Sequence, residues 1–473
     1  MKTCFGLCAC LMLVCCTSAH KDVWLWPPVF ETDWEHLETF RTTDGTPFCV
    51  CYPIDPSPPE LARLGNGLVT GRALTVGVPY RPNDSVRSSI KQAALVVGLD
   101  ENLKQRWVTA MWFPDETADA VVCDLWSGEN RLYVRAACNI VVRMNAQGEP
   151  LWAKRFWMPI HDLGIRRGGF FTGSLVYDRS GKTEALLLTR FDSDGRPVRA
   201  LRVRLPVNLC SVRLACLGDS LFAVGVVNDT GKKHDLFVLR TDEEGEEGIV
   251  EAALCHFDTP LRWDCAVASG SKRLFLLLAA ETGKSKACPL VAAFDEADVR
   301  PVFVKRFVIG NDGFGFYYPC VDVGGEALHI AGTLEMNERD FVARFDLEGR
   351  LRRAVSFDVS RGVDPILHAY PVDMVAVEGG DAVILSLTGL TGGYRQFGPP
   401  SRIETAQVLD EVMETRKVSV AVERLRPDTV RGTALTVRWG RAKAEIYKLN
   451  RGSVYPVPPQ NPVTCAFTRV YMK

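Results

Sequence analysis

The chain has 473 residues, with 56 Lys plus Arg against 57 Asp plus Glu and a hydrophobic content of 47%. Balanced charge excludes a dedicated nucleic-acid binder, which carries a basic excess, and the hydrophobic content excludes a disordered chain. The length suits two or three ordinary domains or one large repeat architecture.

At the N-terminus, MKTCFGLCACLMLVCCTSAH has one lysine, an apolar run from Phe5 to Cys16, then small polar residues. The run is short for a bilayer span and suits the core of a signal peptide. Two processing sites compete. LVCC (13–16) resembles a relaxed bacterial lipobox of the spirochaete kind, which implies lipidation of Cys16, whereas cleavage after Ala19 implies simple secretion. An uncleaved anchor is the third reading. No later segment is apolar for long enough to span a membrane. Residues 1–19 are thus read as a signal peptide. Residues 20–62, with WLWPP and PIDPSPPE, are read as a Pro-rich tether leading into a first strand.

The cysteines after Cys16 are odd in number and scattered, and several sit in apolar strand-like runs, such as Cys138 and Cys216. Core packing is the expectation, with one or two disulfides within Cys210, Cys216, Cys255 and Cys265 as the alternative. CVC (49–51) is too sparse for zinc.

From residue 63 onward a turn recurs at roughly 50-residue intervals. Its opening residues are Asp100, Asn145, Asp192, Asp242, Asp295, Asp346, Asp410 and Asn450. A basic residue stands two positions earlier in Arg143, Arg190, Arg240, Arg344 and Lys448. Glycine follows three positions later in Gly148, Gly195, Gly245 and Gly349. Asp or Asn accepts local backbone hydrogen bonds, and glycine takes the positive φ that lets the next strand return antiparallel. Apolar strands precede each turn, for example RLYVRAA (131–137), DSLFAVGVV (219–227) and KRLFLLLAA (272–280). The unit reads as a four-stranded meander, and nearly continuous apolar runs imply sheets buried on both faces. Radially stacked sheets satisfy that demand, so the expectation is an all-β propeller of four-stranded antiparallel blades over 63–473. Eight anchors predict eight blades, with seven the alternative.

EALHIAGTLEMNERDFVARFDLEGRLRRAVSF (326–357) and DSLFAVGVVNDTGKKHDLFVLRTDEEG (219–245) resemble blades of the bacterial secreted and envelope β-propeller repeat families. The resemblance implies the fold and an exported setting, and it brings no catalytic residues with it. The chain lacks the blade motif of quinone-cofactor propellers.

Motifs that carry chemistry are sparse. SGKT (180–183) lacks the upstream glycine of a phosphate loop and reads as a hairpin turn. SSIK (88–91) and SGSK (269–272) lack a helical context. DSDG (192–195) reads as one turn of the series rather than a calcium site. His161–Asp162 and His256 with Asp264 are the histidine–acid pairs worth following. Two stretches break the repeat. GLTGGYRQFGPPSRIE (389–404) offers Tyr394, Arg395 and Phe397, and GNDGFGFYYP (310–319) offers Phe314, Phe316, Tyr317 and Tyr318. Aromatic and Arg residues on long loops suit partner binding.

The sequence is therefore read as an exported, lipid-anchored β-propeller, placed in the periplasm or on the outer membrane. It serves as a protein-interaction scaffold of the bacterial envelope, monomeric outside its complex and touching the membrane only through its N-terminal lipid. No cofactor, metal or nucleic-acid partner is expected. A propeller hydrolase or lyase, or a glycan or small-ligand binder using the central channel, is the alternative.

Overall fold

A computed structural model describes residues 22–26, 49–51, 60–77, 91–113, 124–128, 130–137, 139–228, 235–242, 250–270, 272–283, 286–309, 320–335, 339–358, 369–377, 381–388, 394–395, 401–411, 413–441, 447–449, 455–456, 464–470 and 472. The described elements are antiparallel strands and one 3-10 turn, Pro427–Val430.

The inner strands are Glu60–Leu64, Asp124–Gly128, Asp162–Arg166, Arg213–Leu217, Leu261–Ser269, Cys320–Gly324 and Ala369–Val377. Each hydrogen-bonds on one side only, to the strand that follows it. Each also packs against the inner strand of the next sheet, and Ala369–Val377 packs back against Glu60–Leu64, closing a ring. Sheets are named below by the first residue of their inner strand. Phe222, Leu236, Leu276 and Phe294 fill the space between the Arg213 and Leu261 sheets. Phe275, Phe307, Phe341 and Phe345 fill the space between the Leu261 and Cys320 sheets. Cores on both faces explain why a strand such as Arg273–Gly283 contains LFLLLAA without alternation.

The expected propeller of eight four-stranded blades, or seven, is corrected by the sheet composition. Among the described residues six sheets have five strands each, and the Glu60 sheet has six. The additional edge strands come from one distant segment. Ser401–Arg402, Ala406–Asp410, Met413–Val418, Ala421–Leu425, Thr433–Ala434 and Arg438–Arg441 each join the outer edge of a different sheet. The order runs backwards around the ring, from the Cys320 sheet to the Glu60 sheet, and Tyr447–Leu449 then pairs with Asp22–Trp26 of the Ala369 sheet. The segment is a belt. Counting turn anchors overestimated the blades because Asp410 ends a belt strand, where its carboxylate pairs with Lys305, rather than opening a blade hairpin. Asn450 lies outside the described residues.

The belt has a physical reason. An open outer strand presents a row of unpaired amides and carbonyls to other chains. Covering strands of two to six residues, carrying exposed Glu414, Arg416, Lys417, Glu423 and Arg424, replace long apolar edges with short charged ones. The ring itself is closed by both termini. Thr464–Val470 lies between Asp381–Thr388 and Asp22–Trp26, so the C-terminal strand completes the sheet against the N-terminal region.

The recurring turns follow the predicted chemistry. Asp192 Oδ1 accepts the amides of Asp194 (2.9 Å) and Arg196 (2.8 Å), and Asp100, Asn145 and Asp346 do the same in their turns. Gly148, Gly195 and Gly349 have φ of 75°, 67° and 76°; in the first turn Leu103 holds that position at 60°. DSDG thus uses its carboxylate for backbone amides. In SGKT, Asp178 caps the turn and Gly181 has φ of 80°, which makes it a hairpin turn. The alternative of disulfides is corrected: no disulfide joins Cys210, Cys216, Cys255 or Cys265 to one another. Burial in apolar surroundings pushes Cys216 and Cys255 up to about 12, so they act as packed hydrophobes.

Candidate functional site

The basic residue two positions before the turn has a tertiary purpose that no local rule supplies. Arg143 Nη1 donates to Ser193 O in the turn of the next sheet, 2.7 Å away. Arg240 Nε reaches Glu296 O at 2.5 Å, and Arg344 Nη1 reaches Met472 O at 3.2 Å. Trp107 and Trp152 use their indole N–H groups in the same way, on Ala146 O and Ser193 O. The turns at Asn145, Asp192 and Asp295 are thus held by donors from the sheet before. A hydrogen bond from a charged donor contributes about 1.5–3 kcal/mol.

A second layer of latches lines the opposite end of the ring, where the inner strands begin. Asp162 opens its inner strand, is 5% exposed, and accepts the Leu214 amide of the next sheet at 2.7 Å. Its other oxygen accepts the Leu163 amide at 2.8 Å. Asp124 occupies the same place in the preceding sheet and pairs with Arg135, whose guanidinium also donates to the carbonyls of Ile160 and His161. Arg213 opens the following inner strand and donates from Nε to Cys265 O, 3.2 Å away. A similar device stands at closure, toward the other end of the inner strands, where Asp322 accepts the Ala376 amide at 2.8 Å. Arg63 reaches from the Glu60 sheet to Asp322 at 3.4 Å and to Ala376 O.

Burial dominates the electrostatics of this layer. Desolvation raises Asp162, opposed by Arg213 and by the two amides. Desolvation, then the neighbouring Asp162 charge, raises Asp124 from 3.8 to about 7, against Arg135 and Arg213. The folded chain therefore holds the Asp124 proton more tightly than the unfolded chain does. That contribution to stability is fully present below pH 3.8 and is lost as pH rises through about 7. Asp124→Asn should flatten the fall in stability over this interval, as measured by guanidinium titrations at a series of pH values.

Asp162 is buried and accepts two backbone amides, Asp124 is buried against Arg135, and Asp322 is half-buried and accepts the Ala376 amide. A general acid or base must come within hydrogen-bond reach of a substrate proton. Their chemistry is to fasten one sheet to the next. Of the histidine–acid pairs, His161 sits beside Asp162 in sequence, but its ring turns away to Leu175 N and Tyr177 Oη. His256 Nδ1 faces Asp235 Oδ1 at 2.6 Å, an exposed cross-strand pair. Asp235 therefore takes the role read for Asp264. Among the described residues no group of His, Cys, Asp and Glu is arranged to hold a metal ion.

Sequence reading missed Asp124, Arg135, Arg213, Asp322 and Arg63. A signal existed: DL at 124–125, DL at 162–163 and RL at 213–214 each open an inner strand once per repeat. Of the candidate binding residues, Tyr394–Arg395 forms a two-residue strand paired with Tyr455–Pro456. Phe397, Phe314, Phe316, Tyr317, Tyr318 and the lipidation candidate Cys16 lie outside the described residues. Cys320 and Thr388, which flank the two loops, lie at the inner-strand-start end of adjacent sheets. A cavity of about 340 Å³ lies at the other end of the ring, lined by Arg63, Asn66, Leu68, Glu101, Asn102 and Val377.

No protein-family model matches the chain, and no curated protein matches it. Among solved structures it is similar to Kuenenia stuttgartiensis hydrazine synthase, at 12% identity over 71% of this chain and 94% of that one, with a TM-score of 0.44. It is also similar to BamB from Moraxella catarrhalis, at 9% identity over 71% of this chain and 96% of that one, TM-score 0.38. The WD40 β-propeller domain of Doa1 matches at 9% identity over 77% of this chain and 95% of that one, TM-score 0.37. Likenesses this remote carry no inference about activity. The ring of inner strands and the sheet order make the chain an all-β propeller fastened by inter-sheet latches and an external belt.

Proposed function

We propose that this propeller is an interaction scaffold of the bacterial cell envelope, exported by its N-terminal signal and anchored through a lipid on Cys16. The observation that supports this best is the use of the polar groups of the inner ring. Asp162, Asp322, Arg135 and Arg63 bind backbone of neighbouring sheets, which makes the ring a stiff frame. A stiff frame holds loops in fixed relative positions, which lowers the entropy cost of binding a partner. Cys320 and Thr388, which flank the repeat-breaking loops 310–319 and 389–404, lie at the same end of adjacent sheets, and these loops are the proposed partner-binding elements.

The test is chemical crosslinking and pull-down from envelope fractions, compared with a chain deleted for 391–400. Loss of a specific crosslinked partner, with an unchanged melting temperature, is the expected result. An unchanged set of partners would overturn the loop assignment. Export and anchoring are tested separately by the mass of the mature N-terminus: a diacylglycerol-modified Cys16 supports the reading, and a free N-terminus at His20 removes the lipid from it.

A further inference from the structure

The ring closes where the Ala369 sheet meets the Glu60 sheet, and the cavity of about 340 Å³ lies at this seam. It sits at the end of the ring opposite Cys320 and Thr388. Its described lining is of three kinds. Leu68 and Val377 are apolar, Arg63 and Glu101 carry opposite charges, and Asn66 and Asn102 offer carboxamides. Small-molecule sites share this make-up, an apolar lining with a few polar groups, in volumes of about 300–1,000 Å³.

Strand register fixes the order of these groups. Arg63 pairs directly with Leu68, and Leu68 with Leu99, so the three form a row on one face of three adjacent strands. Glu101 follows two residues after Leu99, in the turn that Asp100 opens. Neighbouring strands lie about 4.8 Å apart, which puts the backbones at Arg63 and Leu99 about 10 Å from each other. The cation therefore belongs to the inner strand and the anion to a turn two strands further out. Leu68 lies between them and is 4% exposed.

Both charges stand on fixed elements and keep hydrogen-bonding capacity for a ligand. Arg63 uses Nη2 alone for Asp322 Oδ2 and Ala376 O, so its Nε and Nη1 have no partner among the described residues. Its side chain is 43% exposed. Glu101, Asn66 and Asn102 are exposed, and their side chains make no hydrogen bond among the described residues. The turn that carries Glu101 and Asn102 is ordered from within. Asp100 Oδ1 accepts the amides of Asn102 and Lys104, each at 2.8 Å, and Leu103 is buried. Gly67 passes so close to the third strand that a Cβ there would lie 2.2 Å from Leu99 O.

We propose that the seam cavity binds a dipeptide, with the ligand's carboxylate on Arg63 and its ammonium on Glu101. A simple anion would be repelled by Glu101 and a simple cation by Arg63, so the lining selects a ligand that carries both charges. A guanidinium offers paired N–H donors to a carboxylate, and a carboxylate accepts from an ammonium. Two residues extend over at most about 7 Å, and the Arg63 and Glu101 side chains cover the remainder of the span. The ligand's apolar side chains rest on Leu68 and Val377, and its peptide group faces the carboxamides of Asn66 and Asn102. Groups ordered before binding lose little entropy when the ligand arrives. The site does not depend on the envelope scaffold reading, and it lies outside the repeat-breaking loops proposed for the protein partner.

The test titrates the full chain with L-alanyl-L-leucine and L-leucyl-L-alanine by isothermal calorimetry. Each dipeptide is compared with its N-acetyl form, which lacks the ammonium, and its C-terminal amide, which lacks the carboxylate. At least one dipeptide should bind, and both of its blocked forms should bind about tenfold more weakly. Glu101→Gln should weaken the dipeptide about tenfold and bring it level with its N-acetyl form. Glu101→Lys should reverse the preference and favour the N-acetyl form. Melting temperatures should stay unchanged in both variants, because Glu101 is on the surface. Absence of binding by both dipeptides up to about 10 mM would overturn the proposal. So would blocked forms that bind as well as the free dipeptides, or binding that is indifferent to Glu101→Lys.

Discussion

Asp162→Ala should lower the free energy of unfolding by about 3 kcal/mol. The carboxylate joins two sheets: it accepts the Leu214 amide of the Arg213 sheet while its own strand belongs to another. Alanine leaves that buried amide without an acceptor and removes the anion that faces Arg135 and Arg213. Asparagine keeps an acceptor at the same place, so Asp162→Asn should lose only about 1 kcal/mol. Guanidinium unfolding measures both. Hydrogen exchange separates a latch from general damage: the Leu214 amide should exchange faster in Asp162→Ala than amides of the distant Leu261 sheet.

Gly148→Ala should destabilise the chain by about 2–4 kcal/mol, whereas Gly181→Ala should cost about 1 kcal/mol. Both glycines have a positive φ, 75° and 80°, so the backbone penalty is shared. The surroundings differ. A Cβ at Gly148 would lie 2.2 Å from Trp107 Cε3, on an indole tied to Ala146 O, so the ring cannot swing away without breaking its hydrogen bond. A Cβ at Gly181 meets nothing within 4 Å. Thermal melts of the two variants give the comparison. Equal losses would mean that the Trp107 contact contributes nothing to fastening the sheets.

The Asp-x-x-Gly turn was readable because its physics is local: the side-chain acceptor, the amides it takes and the glycine lie within five residues. The long apolar runs were readable for a similar reason, since burial on both faces removes the alternation of a half-exposed strand. The basic residue before the turn was visible as a pattern but not as a device, because its partner lies about 50 residues away in the next sheet. The belt was invisible. Its strands are short and largely exposed, so they carry no apolar period, and Asp410 imitated a turn anchor closely enough to inflate the blade count.

Tyr394, Arg395, Phe397 and the aromatic cluster at 314–318 stood out because they interrupt a repeat. By itself the sequence determined the strand-and-turn unit and the all-β class, since hydrogen bonding within a hairpin and burial on both faces are written in neighbouring residues. Tertiary structure alone decided how many strands each sheet holds, what covers the outer edges and which charges become latches. Those depend on pairings between segments 50 to 332 residues apart, where no local preference selects the partner.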